Sequence, residues 1–167
     1  MKKVLCALVV SGCLAGGAWA ESPADGRFGQ LAATFLESYL RHNPEAATTL
    51  GDHRFDGQWS DLSAAGVRQN LDSQAQLLRQ LREIPKQELG PENQVDYDIL
   101  DHHLEAQLWS GRELQELRWN PLVYNPGPAL YALVARDFAP APQRLESLAL
   151  RLEKLPKLLE QIGRAHV

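Results

Sequence analysis

The amino-acid sequence predicts an all-α protein of antiparallel helices, and three observations lead to this prediction. Apolar residues recur at steps of three and four along most of the chain, which is the period of one face of an α-helix. Residues that start and stop helices separate these stretches at short intervals, so consecutive helices are joined by short loops. No segment alternates apolar and polar residues for long enough to predict a strand.

Two helices are predicted before the first ordered loop. The stretch RFGQLAATFLESYLRHN carries one apolar stripe, formed by Phe28, Leu31, Ala32, Phe35, Leu36, Tyr39 and Leu40. Asn43 and Pro44 end this helix and start the next, because asparagine caps helix N-termini and proline suits the first turn. Gly51 can close the second helix, and the turn-forming residues of GDHRFDGQWSD predict an ordered loop after it.

A third and a long fourth helix follow. Ser63 caps the third helix, which stops at Pro85 and has an apolar side formed by Val67, Leu71, Leu78 and Leu81. Gly90 and Pro91 open the fourth helix over PENQVDYDILDHHLEAQLWSGRELQEL, and its stripe contains Tyr97, Leu100, Leu104 and Leu108.

The last two helices come after the proline-rich loop WNPLVYNPGP. A short helix is expected around ALYALVARDF. The final helix starts at Ala141, and one of its sides is expected to carry Leu145, Leu148, Leu152 and Leu155. Pro156 lies inside this pattern and is expected to kink the helix.

The first twenty residues have the pattern of an export signal. Lys2 and Lys3 precede a short apolar run, Val4 to Leu14, and Ala18-Trp19-Ala20 has the small-x-small pattern that signal peptidase cleaves. The apolar run is too short to span a bilayer. The sequence therefore predicts a signal peptide over residues 1–20 and a periplasmic or secreted protein.

Cys13 leaves a membrane-anchored lipoprotein open as the alternative. Val10-Ser11-Gly12-Cys13 resembles a lipobox, in which Cys13 would carry the lipid. The residues after Cys13 are apolar, whereas lipoproteins usually turn polar there, so release after Ala20 is favoured. Cys6 and Cys13 are the only cysteines, and the mature protein is therefore expected to have neither a disulfide nor thiol chemistry.

Composition and motifs exclude several classes of function. The formal net charge of −4 gives no basic surface, so no nucleic acid partner is expected. No Ser-His-Asp arrangement, glycine-rich phosphate loop or dinucleotide fingerprint is present. No catalytic residue is therefore predicted in this chain.

The stretch DYDILDHHLEA is the one cluster that could suggest a metal site. Asp98 and His102 are four residues apart and share a helical face with Glu105 beside them, which a metal ion could use. The zincin motif HExxH is absent, because no pair of histidines stands four apart here. A hydrated face with a local contact between histidine and aspartate is favoured, and no metal ligand is predicted.

Three polar residues are candidates for a substrate cleft. His53 and Asp56 stand in the loop after Gly51, and loops on a rigid helical scaffold often carry functional side chains. A helix stop followed by an Asx-type turn explains the same two residues equally well. Arg136 could bind a substrate carboxylate, although an ion pair or a cap on backbone carbonyls is the favoured use.

Three stretches, taken together, indicate a family. They are FLESYLRHNPEAATTLGDHRFD, ELGPENQVDYDILDHHLEAQL and NPLVYNPGPALYALVARDFAPAPQRLESLALRLEKLPKLLEQ. In order and wording they resemble the N-terminal part of the bacterial domain-of-unknown-function 885 (DUF 885) proteins, from about Phe28 to Gln161. Members of that family are exported, mostly helical and several hundred residues longer. The resemblance thus implies that residues 21–161 are the N-terminal part of a larger helical fold.

The same resemblance implies a chemistry for full-length members. They resemble zinc metallopeptidases of the carboxypeptidase Taq type, with a HExxH helix far downstream of the region matched here. This implies a zinc-activated water that attacks a peptide bond, with the motif glutamate as general base. No position of this chain matches those ligands, so no zinc ligand is assigned here. The resemblance places His53, Asp56 and Arg136 near the cleft.

Residues 162–167 raise the expectation that the chain is truncated. A widely used sequencing adapter encodes Ile-Gly-Arg-Ala-His-Val, and its next triplet is a stop, so native sequence is expected to continue beyond Gln161.

The expected function is an N-terminal scaffold fragment, inactive alone, of an exported peptidase-like protein. Its expected partners are the missing C-terminal half and a peptide substrate. The alternative is a complete small periplasmic helical module that binds a partner and catalyses nothing.

Overall fold

The structure, a computed structural model, describes residues 22–165, and within that range it contains six α-helices and no strand. The helices are α1 (Pro23–His42), α2 (Pro44–Leu50), α3 (Ala64–Arg82), α4 (Pro91–Trp109), α5 (Gly127–Ala135) and α6 (Ala141–Ala165). Short 3₁₀ turns and one π-helical segment join them. The all-α prediction is confirmed. The predicted signal peptide and Cys13 lie outside the described residues.

The ends of the helices follow the capping signals of the sequence. Ser22 accepts a hydrogen bond of 3.0 Å from the Asp25 N–H, and the Asp25 carboxylate accepts one of 3.0 Å from the Ser22 N–H. Gly51 closes α2 with a left-handed φ of 96°. Ser63 caps α3 by accepting from the Gly66 N–H at 3.1 Å.

Asp25 also joins the start of α1 to the start of α4. Its Oδ1 accepts hydrogen bonds from the Gly90 N–H at 2.9 Å and from Asn93 Nδ2 at 2.7 Å. These bonds, from Asn93 foremost and then from the Gly90 and Ser22 backbone, hold the pKa of the Asp25 carboxyl well below its ordinary value. Helices α1 and α4 therefore run in the same direction from a shared starting point.

Helix α3 runs antiparallel to both of them. Its early residue Leu71 touches Gly111 just after α4, whereas Arg82 at its end pairs with Asp101 in the middle of α4. The three helices enclose an apolar core formed by Ala24, Phe28, Leu77, Leu78, Leu81, Ile84, Leu89, Leu100, Leu104 and Leu108. Most of these positions belong to the stripes that the sequence predicted.

Helix α4 is shorter than predicted. It ends at Trp109 instead of running on to Leu117, and a π-helical segment, Ser110–Leu114, follows it. Serine and glycine at positions 110 and 111 are weak helix formers. Gly111 also packs so closely on α3 that a Cβ atom there would lie 2.5 Å from Leu71 Cδ2. The chain widens into a π turn at this contact, a local effect that the apolar period does not encode.

Helix α6 continues through Pro156 to Ala165. Its predicted apolar side is only partly covered. Leu148 and Leu155 are half-buried, whereas Leu145 and Leu152 are exposed. The reason is that the apolar arc of α6 is wider than the surface that the rest of the described fold presents to it.

Candidate functional site

His53 and Asp56 lie together in the 3₁₀ turn that follows α2. The turn His53–Phe55 begins directly after Asp52, whose side chain accepts from the Arg54 N–H. His53 Nδ1 lies 3.0 Å from Asp56 Oδ2. The His53 ring is stacked on the Phe138 ring, with centroids 3.8 Å apart and planes 6° from parallel. The imidazole is therefore fixed by one polar and one aromatic contact.

The Asp56 carboxylate is buried, with an exposed fraction of 4%. Its second oxygen, Oδ1, lies 2.7 Å from the Thr48 hydroxyl. The same hydroxyl lies 3.1 Å from the Pro44 carbonyl. Because a hydroxyl has one proton, the shorter contact indicates that Thr48 donates to Asp56. Both carboxylate oxygens are thus engaged inside the fold.

Behind Thr48 lies Arg151, a fully buried side chain of α6 with 0% exposure. Its guanidinium donates to the carbonyls of Gln58 (3.1 Å), Ala129 (2.9 Å) and Pro44 (3.2 Å) and to the Thr48 hydroxyl (2.7 Å). Burial lowers the pKa of Arg151, and the nearby Glu45 and Asp56 carboxylates oppose that shift. We call Arg151, Thr48, Asp56 and the three carbonyls the Arg151 network.

The loop after Asp56 is also held by α6. The Trp59 indole N–H donates to the Arg151 carbonyl at 2.8 Å, and the Arg151 guanidinium lies 5.5 Å from the centre of the Trp59 ring. One turn later, Lys154 Nζ donates to the Gly57 carbonyl at 2.8 Å. Arg151 and Lys154 of α6 thus hold in place the loop that follows His53 and Asp56.

Arg136 lies at the end of α5 and is exposed. Its Nη1 donates to the Thr49 carbonyl at 2.7 Å, in the last turn of α2. This is a backbone cap, the use that the sequence favoured over binding of a substrate carboxylate. The contact and the stacking of Phe138 on His53 bring the Arg136–Phe138 segment against α2 and the turn after it.

The structure therefore brings the three cleft candidates, His53, Asp56 and Arg136, into one region. Each of them makes contacts there that hold parts of the fold together. Among the described residues, hydrogen bonds join His53 to Asp56 and to no serine, threonine or cysteine. The one hydroxyl that the pair contacts, that of Thr48, is bound by Asp56 and Arg151 inside the fold. A cavity of about 1000 Å³ is lined mainly by residues of α3 and of the segment after α4, and His53, Asp56 and Arg136 are not among its lining residues. Their role at a substrate cleft stays a prediction.

The acidic and histidine-rich stretch of α4 forms ion pairs. Asp98 pairs with Lys86 at 2.6 Å, and both Asp101 and Glu105 pair with Arg82. His103 packs edge-on against Phe35, with ring centroids 5.6 Å apart. In residues 22–165 no group of three His, Cys, Asp or Glu side chains is placed to hold a metal ion. The residues present therefore do not fit a zinc site.

Arg151 and Thr48 are the residues that sequence reasoning missed. A signal for Arg151 was present, because it interrupts an otherwise apolar set at helical spacing, namely Leu148, Arg151, Leu155 and Leu158. A charged residue at a core position of an amphipathic helix needs partners inside the protein. No comparable signal marks Thr48, which stands in a polar threonine pair.

Comparison with known proteins gives the family of this chain. The family model described as "Bacterial protein of unknown function (DUF885)" matches residues 44–165, which is more than half of the chain. The chain belongs to the DUF885 family. The matched region contains the Arg151 network, the 3₁₀ turn His53–Phe55 and all helices from α2 to α6.

One solved structure is similar to this DUF885 chain. It is a candidate lipoprotein of unknown function from Shewanella oneidensis, 23% identical, with a TM-score of 0.78. The match covers 84% of this chain and 26% of that one, so this chain spans about a quarter of the length of its structural relative. No curated protein sequence matches. Among the helices of residues 22–165, none combines the length and apolar character needed to cross a bilayer.

Proposed function

We propose that this chain is the N-terminal helical scaffold of a larger exported, peptidase-like DUF885 protein, and that it contributes structure rather than catalytic groups. The observation that carries the proposal is a set of exposed apolar residues that recur at helical spacing and form two seams. Peptidase-like chemistry rests on the sequence resemblance alone.

The first seam, which we call the α4 seam, consists of Val95, Ile99, His102, Ala106 and Trp109. These residues follow one another at steps of four and three, so they share one face of α4, and all are exposed. Ile99 is 62% exposed and Trp109 60%. The opposite side of α4 faces the core, so apolar residues lie on both sides of this helix, with His102 as the one polar member of the exposed seam. This is expected of a helix covered from two directions.

The second seam, the α6 seam, consists of Pro142, Leu145, Ala149, Leu152, Pro156 and Leu159. Its residues again alternate between steps of three and four, and each of them is exposed, Leu145 by 57%. Regular apolar seams of this length are typical of helices that pack against further helices. Scattered exposed leucines would not show this period.

The length of the structural relative supports the same proposal. A chain that matches the present fold over 26% of its length has about three quarters of its residues outside the match. We propose that the corresponding part of the full-length protein covers both seams. The zinc ligands implied by the resemblance would belong to that part, since residues 22–165 offer no group that fits a metal ion.

Two measurements test the scaffold proposal. Sequencing the gene from genomic DNA past codon 161 should show an open frame that encodes several hundred further residues with a HExxH motif. A native stop close to codon 167 would instead favour the alternative, a complete small periplasmic binding module.

The second measurement uses the purified chain. Alone, it should self-associate and bind a hydrophobic dye, and the double change Ile99→Gln and Leu152→Gln should reduce both. The matched control is Leu36→Gln, which alters an exposed leucine of α1 outside the seams. A wild-type chain that stays monomeric at high concentration, or a control that works as well as the seam variant, would contradict the proposal.

The mode of attachment is a separate part of the proposal. We propose release of the protein into the periplasm after Ala20, with lipidation of Cys13 as the alternative that the description of the Shewanella protein supports. Labelling of cells with radioactive palmitate distinguishes the two, because only a lipoprotein incorporates label, and it loses the label on Cys13→Ser.

A further inference from the structure

A row of three exposed glutamates borders the α6 seam. Glu146, Glu153 and Glu160 follow one another at steps of seven, so they lie nearly in line along the helix. Because an α-helix turns by about 100° per residue, this row lies roughly 80° around α6 from the middle of the seam. On the other flank of the seam stand Leu148 and Leu155, which are half-buried. The seam thus has the core on one side and a line of negative charge, the glutamate row, on the other.

The glutamate row has no cationic partner among residues 22–165, since none of the ion pairs of these residues includes a member of the row. The lysines of α6 interact elsewhere. Lys154 Nζ donates to the Gly57 carbonyl at 2.8 Å. The pKa of Asp61 is lowered by hydrogen bonds from Ser63 and, in addition, by the charge of Lys157.

The α4 seam differs in this respect. Its flanking acids Asp98 and Glu105 are already paired inside the chain, with Lys86 and Arg82 respectively. An element that covers the α4 seam therefore meets a flank that is largely neutralised. An element that covers the α6 seam meets three unpaired carboxylates at its edge. Charges that flank an apolar helical seam decide which partner helix packs on it, because opposite charges stabilise the contact and like charges oppose it.

A second copy of this chain would bring no positive charge to the glutamate row. In an antiparallel pair of α6 helices, the two rows would face each other. In a parallel pair, each row would face Leu148 and Leu155 of the copy. The α4 seam of a copy would bring Asp96, Asp98 and Glu105 to the row, which are acidic as well. Charge complementarity therefore favours an occupant other than this chain.

We propose that the α6 seam is the docking site of a basic amphipathic helix, which packs its apolar stripe on the seam and pairs its lysines or arginines with the glutamate row. The seam is about 26 Å long from Pro142 to Leu159, which accommodates roughly five turns of a partner helix. Its steps of three and four match those of coiled-coil contacts. That the helix belongs to the remaining part of the full-length protein rests on the scaffold function proposed above.

The test compares two labelled peptides of three heptads each. Both have leucine and isoleucine in the apolar stripe, and the flanking positions are lysine in one and glutamate in the other. Like charges along each peptide keep it from pairing with itself. Binding to the purified chain with Ile99→Gln, which disrupts the α4 seam, is followed by fluorescence anisotropy in about 0.15 M salt. The lysine peptide should bind about tenfold more tightly than the glutamate peptide.

Two sets of variants locate the binding. The triple change Glu146→Lys, Glu153→Lys and Glu160→Lys should reverse the preference, so that the glutamate peptide binds more tightly. The double change Leu145→Gln and Leu152→Gln should weaken both peptides at least tenfold, because it removes the apolar contact. All five positions are exposed, and circular dichroism should show unchanged helix content for both variants.

The matched control reverses the same number of charges away from the seam. It changes three exposed glutamates of α4, of the π-helical segment and of the end of α3, namely Glu92→Lys, Glu113→Lys and Glu83→Lys. This control alters the net charge as much as the seam variant does, so it measures the general attraction between a basic peptide and an acidic protein. The preference for the lysine peptide should persist in it.

Several outcomes would overturn the proposal: equal binding of the two peptides, an unchanged preference in the seam triple variant, or a reversal in the control as well. A dimer of the chain that excess lysine peptide does not dissociate, and that Leu152→Gln abolishes, would assign the seam to a second copy. Equal binding would leave the scaffold function intact. A native stop near codon 167 would instead refute that function and the origin of the helix, while the charge preference would still stand.

Discussion

The two halves of this molecule are held together in different ways. Helices α1, α3 and α4 surround a core in which leucine predominates and polar groups stay at the rim. Helices α2, α5 and α6 instead meet around the Arg151 network, where a buried guanidinium binds three backbone carbonyls and a hydroxyl. Both arrangements fill an interior, but the first relies on apolar area and the second on complete hydrogen bonding.

Because one half has an apolar core and the other a buried hydrogen-bond network, the two halves should respond differently to mutation. An apolar core loses stability in proportion to the volume removed and accepts replacements of similar size. A buried polar network fails when one member is removed, because the remaining members keep their unfavourable burial without their partners. Substitutions chosen in each half therefore test the comparison directly.

The largest effect is expected for Arg151→Ala. It removes the guanidinium from four acceptors, two of them in buried contacts, and opens a cavity, so the free energy of unfolding should fall by about 4 kcal/mol. Arg151→Lys should recover only part, because an ammonium group cannot reproduce the planar geometry of the guanidinium. Urea unfolding followed by circular dichroism measures both. The control Arg68→Ala, at an exposed position of α3, should change stability by less than about 0.5 kcal/mol.

In the other half, Leu104→Ala should cost about 3 kcal/mol, since Leu104 is fully buried in the apolar core. Leu104→Met should stay within about 1.5 kcal/mol of wild type, because it nearly conserves volume. The same urea experiment applies. If the methionine variant were as unstable as the alanine variant, the distinction between the two halves would be lost.

A smaller effect is expected for Thr48→Val, which keeps the shape of the side chain and removes its hydroxyl. Asp56 loses a donor and Arg151 an acceptor, so the loss should be about 1–2 kcal/mol. Thr49→Val is the neighbouring control, because Thr49 is exposed. Similar losses for both variants would show that the hydroxyl of Thr48 has no special part in the network.

The smallest effect concerns pH and the start of α1. The pKa of Asp25 is lowered in the folded protein, so its contribution to stability is present above the ordinary value of 3.8 and disappears as pH falls toward the folded pKa. Asp25→Asn should therefore be less stable than wild type near neutral pH, and the two should converge in acid. A stability difference between the two proteins that stays constant from pH 7 to pH 2 would contradict this prediction. Thermal unfolding from pH 2 to pH 7 measures the difference.

Much of the fold could be predicted because it is encoded locally. Ser63 and Gly51 specify helix ends through their own conformational preferences, and the period of Leu100, Leu104 and Leu108 specifies a buried face. The end of α4 could not be predicted in this way, since the contact of Gly111 with Leu71 arises only after α3 and α4 have packed.

The candidate site was predicted only in part. His53 and Asp56 are close in sequence, so their contact follows from one turn, and the backbone cap made by Arg136 was the favoured use of that residue. Arg151 could not be assigned to the same region, because its partners lie far away along the chain and their carbonyls carry no residue-specific signal. The two exposed seams could not be predicted for another reason: an apolar period indicates an apolar face, but not which element of the protein packs on it.

Arg151 and the Pro44 carbonyl are separated by 107 positions in the chain, and this spacing has a consequence for the order of folding. The partners of α1, α3 and α4 are complete once Trp109 has emerged, so their core can assemble early. The turn that contains His53 must wait until α6, with its arginine, has been synthesised. Until then, the same carbonyls remain bound to water, and this part of the chain is the natural target for proteases and chaperones.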